Sequence, residues 1–190
     1  PLLSLVVPLW IVTRTDAPDW VVASLLIVNT LGVTLFQVRT ARAVKDLRTA
    51  TRSIRYAGVA MLAACAVFAV SAADLNATTA AVVLISAAAL LTLGEMKLAS
   101  GAWEISFGLA PADKQGQYQG FFGTGPAIAR MLGPALLTTV VLGWGPIGWI
   151  AVGALFLGTS CATGPAVRWA ARTRAVNEDA QPSLVEENAA

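Results

Sequence analysis

The chain contains no histidine, and only 13% of its 190 residues are charged. Without histidine there is no imidazole base, no imidazole metal ligand, and no Ser/His or Cys/His catalytic pair within it. Cysteine is nearly absent too: Cys65 and Cys161 each lie inside an apolar run, where a thiol behaves as a small buried hydrophobe. Neither has the neighbouring ligands a metal site needs. The glycines around "GLAPADKQGQYQGFFG" lack Walker spacing and follow no strand, which removes a phosphate loop. No enzymatic activity, no metal, no cofactor and no nucleic-acid partner is expected.

What is abundant is apolar residue. Hydrophobic residues make up 56% of the chain, and the mean hydropathy is +0.68. That is too apolar for an ordinary soluble domain of this length, and points to an all-α, polytopic membrane protein whose solvent is the lipid bilayer. Five runs are long enough to cross a hydrocarbon core of about 30 Å. They cover residues 20–38, 56–73, 77–103, 121–142 and 147–167. A sixth run, at 2–12, is of similar character but short, and without a positive leader or a small-residue cleavage site it reads as a truncated helix rather than a signal peptide. Residues 1–167 thus read as a six-helix membrane segment. The polar stretch 168–190, "RAVNEDAQPSLVEENAA" included, reads as a disordered tail.

The loops set the orientation. On one face "TRTDAPD", "DLN" and "GWGP" carry one basic residue, Arg14. On the other lie Arg39, Arg42, Lys45, Arg48, Arg52, Arg55, Lys114, Arg168, Arg172 and Arg174. The positive-inside rule makes that second face cytoplasmic, with both ends of the segment inside. The segment Arg39, Arg42, Lys45, Asp46 and Arg48 is either a topology determinant meeting anionic headgroups or a gating loop. The spacing of Arg48, Arg52 and Arg55 suits a short interfacial helix.

Few ionisable residues fall within the spans. They are Glu95, Lys97 and Arg130, with Glu104 near the boundary and Asn29 as a neutral polar group. A charge in the bilayer costs about 2.5–3.5 kcal/mol on insertion scales, so each needs a use or a partner. Glu95 and Arg130 sit at similar depth on consecutive helices, and each is the other's expected partner. Their pairing would either fix helix register alone or leave Glu95 facing an aqueous cavity as a proton or substrate site. Asn29 joins them as a coupling candidate. Lys97, two residues from Glu95, points elsewhere and is expected to snorkel. Trp10, Trp103 and Phe107 read as interface anchors rather than ligand platforms.

The fifth run, "FFGTGPAIARMLGPALLTTVVL", reads as a packing and bending device. Gly125, Ala129 and Gly133 form a small-residue stripe suited to close helix approach. Pro126 and Pro134 each remove a backbone donor and invite a kink. In the last run Ala154, Gly158 and Ala162 repeat the small-residue theme.

Taken in order, "VRTARAVKDLRTATR", "LGEMKLASGAWEISFGLAP" and "APADKQGQYQGFFGTGPAIARMLGP" resemble three consecutive parts of a known family. They are similar to the loop between helices eight and nine, the tenth helix with its Gly-Glu pair, and the eleventh helix of the major facilitator superfamily, most like bacterial multidrug-efflux or proton-antiporter members. The loop lacks the family's leading glycine, and Lys97 stands where an apolar residue is usual. The resemblance spans essentially everything before the tail. It implies the six-helix half of a twelve-helix bundle, made of two inverted three-helix repeats with the first helix truncated. It further implies a missing N-terminal half as partner, met by the helices bearing Asn29 and Arg130. The first helix and the Glu95 helix would line a central cavity for a small amphipathic substrate, exported in exchange for protons by alternating access. The competing expectation is a stand-alone six-helix membrane scaffold in which Glu95 and Arg130 are structural.

Overall fold

The computed structural model describes residues 2–111 and 114–187, with side chains through Arg174. Every described element is a helix: α1 (Leu2–Arg14, its opening Leu2–Val6 wound as a π-helix), α2 (Trp20–Arg42), α3 (Leu47–Val70), α4 (Ala77–Gly108), α5 (Gln115–Trp144) and α6 (Pro146–Glu187). All but α1 are long and apolar enough to cross a membrane. A backbone in hydrocarbon must satisfy its own hydrogen bonds, which is why apolar runs of this length fold as helices.

The starts and turns follow from individual residues. Asp46 begins α3 with a reciprocal cap, its carboxylate accepting from the Thr49 N–H at 2.7 Å while the Asp46 N–H donates to the Thr49 hydroxyl at 3.1 Å. Asn76 opens α4 by accepting from the Thr79 N–H at 2.9 Å. Gly145 makes the turn between α5 and α6 with φ +63°, a conformation that strongly favours glycine. Three residues on, a side chain at Gly148 would run into the Val140 carbonyl.

These starts correct the expected boundaries. The basic segment is no separate interfacial helix and no long loop, because the cap at Asp46 starts α3 nine residues earlier than residue 56. Arg48, Arg52 and Arg55 therefore ride on the first turns of a spanning helix, and residues 43–46 alone link α2 to α3. Likewise α6 does not stop at Val167. It continues through the segment expected to be a disordered tail, and Arg174 Nη1 donates to the Gly108 carbonyl at 3.2 Å.

Helix α3 packs most intimately, against α4 on one side and α6 on the other, with α2 against α4 and α5 against α6. Close approach depends on glycine. A Cβ at Gly94 would lie 3.3 Å from the Ala57 carbonyl, and one at Gly101 would lie 2.8 Å from the Ala50 carbonyl, so α4 rests directly on the α3 backbone. Gly58 of α3 meets Ser160, and Gly153 of α6 meets Leu62 and Cys65. Small residues are thus used for packing, though not those expected. A Cβ at Gly125 or Gly158 would touch nothing, and Ala129, Ala154 and Ala162 are exposed. Pro126 and Pro134 sit inside α5, which runs from Gln115 to Trp144 as one helix.

The link between α2 and α3 and that between α4 and α5 lie at one end of the bundle, here the basic end. At the opposite end an aromatic cluster closes the core. Phe68 stacks on Trp149 at 4.7 Å, and Trp10 meets Trp149 edge-on at 5.7 Å. The Trp10 indole donates to the Ser71 hydroxyl at 2.9 Å, which in turn donates to the Phe68 carbonyl. The Trp149 indole N–H, beside them, is buried without an acceptor among the described residues. Arg14 ties α1 to the last turn of α5 through the Leu142 carbonyl at 2.9 Å.

Candidate functional site between α2 and α4

Polar side chains meet within the spanning region on the seam between α2 and α4. Asn29, near the middle of α2, projects its amide toward α4. Its Nδ2 donates to Thr92 Oγ1 at 3.1 Å and to Glu95 Oε2 at 3.3 Å. Thr92 and Glu95 are three residues apart and share one face of α4. The Thr92 hydroxyl donates to the Ala88 carbonyl at 2.8 Å, which orients its oxygen to receive the amide. Gly32, one turn after Asn29, lets the backbones close: a Cβ there would stand 3.0 Å from Thr92 Cγ2. Glu95 is half-buried and lies about 20 Å along α4 from its end at Gly108, counting 1.5 Å per residue.

Arg130 does not join this cluster. Among the described residues no ion pair links it to Glu95, and every residue of α5 from Gly120 through Leu132 is exposed. The expected pairing matched depth, but depth leaves the direction around the helix axis open. Here α4 turns Glu95 to α2, while the middle of α5 stands clear of the bundle. Thr92 and Gly32 were not anticipated. Their signal was present in the sequence, since each stands three residues from a residue singled out.

The same seam opens into a cleft of about 310 Å³ toward the basic end. It is lined on α2 by Gln37, Ala41 and Val44, and on α4 by Ala99, Ser100, Trp103 and Glu104. Ala99 and Trp103 follow Glu95 at one and two helical turns, so cleft and polar cluster lie along one line. Arg39, Arg42, Lys45 and Arg48 are exposed around that end, and Asp46 serves as the cap of α3.

Lys97 turns away from this seam, toward α3. Its ammonium lies 5.8 Å from the centre of the Tyr56 ring, within cation–π range, so it has a neighbour rather than reaching freely for headgroups.

No protein-family model, curated protein or solved structure matches the chain. Its function is therefore argued from the geometry of the seam and of the exposed helices. A carboxylate within a spanning helix, held by one side-chain amide and facing no cation among the described residues, can bind a proton or a cation.

Proposed function

We propose that the chain is one half of a secondary transporter of the major facilitator type, in which Glu95 exchanges a proton or meets a cationic group as a small amphipathic compound crosses. The observation that carries this reading is the Asn29–Thr92–Glu95 cluster, a carboxylate inside the spanning region paired with the neutral Asn29 amide instead of a cation. A purely structural Glu would be better served by a guanidinium, because an unpaired charge in hydrocarbon is costly.

Two further features support the reading. Part of the helix-contact pattern repeats when the first three helices are exchanged for the last three: the α2·α4 contact corresponds to the one between α5 and the start of α1, the α4·α5 contact to that between α1 and α2, and the α3·α6 contact to itself. Such a pattern suits inverted repeats. In addition, α2 and α5, which occupy equivalent places in the two triplets, are the two least covered spanning helices. These are the helices that a second half-bundle would meet, and Arg130 on α5 would then face it. In this scheme the chain sits in a bacterial plasma membrane with the basic end cytoplasmic, and the cleft at Gln37 and Glu104 is the cytoplasmic approach to Glu95.

The test is proton-gradient-driven dye efflux in vesicles holding the chain together with its second half-bundle. Glu95→Gln should abolish the coupling of flux to the pH gradient while leaving membrane insertion intact. Flux by the chain reconstituted alone would overturn the half-bundle proposal, and unchanged coupling in Glu95→Gln would overturn the role of Glu95. Absence of flux from the two halves together, with loss of folding in Arg130→Ala, would favour the six-helix scaffold.

A further inference from the structure

We propose that the outer groove between α3 and α4 is a binding site for the phosphate of an anionic lipid, formed by Lys97, Arg52 and Tyr56. The proposal needs helices that span a membrane and is independent of transport.

The geometry joins two cations from different helices at one phenol. The Arg52 guanidinium donates to the Tyr56 hydroxyl from Nε at 3.2 Å and from Nη2 at 3.0 Å, and its carbon lies 5.4 Å from the ring centre. Lys97 approaches the same ring from α4 at 5.8 Å. Arg55, the neighbour of Tyr56 in sequence, adds a third positive charge on the same turn of α3. The arrangement is built into the packing rather than left to flexible side chains. The Ser53 hydroxyl donates to the Lys97 carbonyl at 2.9 Å, which pins the register of α4 against α3 at this level. Gly94 and Gly101, on either side of Lys97, hold the two backbones together.

Like charges brought together at the edge of a low-dielectric medium repel unless an anion lies between them. No such anion comes from the chain: among the described residues no carboxylate forms an ion pair with Lys97, Arg52 or Arg55, and Glu104 lines the cleft toward α2. The Lys97 ammonium is half-buried and has the Tyr56 ring as its neighbour, with no hydrogen-bond acceptor among the described residues. Three N–H donors in that position call for an oxyanion. Depth selects which one. With 24 residues α3 is about 36 Å long against a core of about 30 Å, so Arg52 lies close to the hydrocarbon boundary and sets its guanidinium on Tyr56 one turn further in. At that level the available oxyanion is the headgroup phosphate. A lipid with net negative charge, such as phosphatidylglycerol or cardiolipin, would satisfy the two cations, whereas the choline of phosphatidylcholine would add a positive charge of its own. The half-buried, otherwise unexplained lysine of α4 is then the central residue of the site.

Native mass spectrometry of the chain in detergent, titrated separately with phosphatidylglycerol, cardiolipin and phosphatidylcholine, reads the binding directly. The two anionic lipids should be retained in preference to phosphatidylcholine. Lys97→Met and Arg52→Gln should each weaken that retention by about fivefold, the effect of one basic residue near the surface, while Lys97→Arg should keep it. Arg39→Gln, on the exposed end of α2, should leave it unchanged. Circular dichroism checks that each variant is folded, and Arg52→Gln alone decides the matter should Lys97→Met fail to fold. Equal retention of all three lipids, or wild-type retention in folded Lys97→Met or Arg52→Gln, would overturn the proposal. So would displacement of the bound lipid by millimolar inorganic phosphate, which would make the site one for free phosphate.

Discussion

The face of α4 that rests on α3 and the middle of α5 are both rich in glycine and alanine, yet one is packed to the limit and the other touches nothing. Gly94 and Gly101 have α3 carbonyls against them, whereas a side chain at Gly125 would meet open space. In a membrane, where lipid chains are as apolar as leucine, helices associate through close packing and hydrogen bonds rather than by escaping solvent. A small residue therefore stabilises only where another backbone arrives to use it. Along α4 that backbone belongs to the same chain; along α5 it would belong to something outside it.

Enlarging these glycines is the strongest way to break the comparison. At Gly101 a Cβ would sit 2.6 Å from Ile54 Cγ1 and 2.8 Å from the Ala50 carbonyl, and the carbonyl cannot move without bending α3. Gly101→Val should cost about 1–3 kcal/mol or more from overpacking, read as a lower midpoint of thermal unfolding in detergent. Gly125→Val on α5 should leave that midpoint unchanged for the chain alone, within about 0.5 kcal/mol. A large loss at Gly125 in the isolated chain would mean that α5 is packed in a way this fold does not contain.

The polar seam gives the next largest contrast. Asn29→Leu removes the donor shared by Thr92 and Glu95 and leaves the carboxylate without its amide, a loss of about 1–3 kcal/mol. Arg130→Ala, on the exposed face of α5, should change the stability of the chain alone by less than about 0.5 kcal/mol. Equal losses in the two variants would restore the Glu95–Arg130 pairing that charge and depth suggested.

Which parts of this were legible in the sequence follows from what sequence patterns encode. Apolar run length reports crossing of a membrane, so the number of spanning helices and their approximate centres could be read directly. It reports nothing about where a helix continues beyond the hydrocarbon, which is why the start of α3 at Leu47 was missed although Asp46 and Thr49 spell out a cap. Similarly, the depth of Glu95 could be counted, but its azimuth depended on which helix lies beside α4. That neighbour is α2, brought in by Gly32, and Asn29 rather than Arg130 is what the carboxylate meets. Lys97 was visible as an anomaly. Its relation to Tyr56, 41 positions earlier, depends on the register that Ser53 sets between α3 and α4.

The smallest expected effect sharpens the comparison at the helix starts. The carboxylate of Asp46 accepts from the Thr49 N–H, and that bond holds its pKa below the usual value for an aspartate. A depressed folded-state pKa means that the cap stabilises the start of α3 fully above the unfolded value and loses its contribution as pH falls through the lower, folded value. The start of α5, by contrast, has Lys114 at its cap position with no side-chain bond to the helix, so no carboxylate cap is formed there among the described residues. Hydrogen exchange at the first amides of α3, corrected for intrinsic rates, should therefore lose protection on acidification below the ordinary aspartate range, while the first amides of α5 show no such step. Asp46→Asn should remove the step in α3 and keep part of the protection, because an amide oxygen still accepts from Thr49. A step that survives in Asp46→Asn would assign the titration to another group, and the capped start of α3 would then differ from that of α5 in geometry alone.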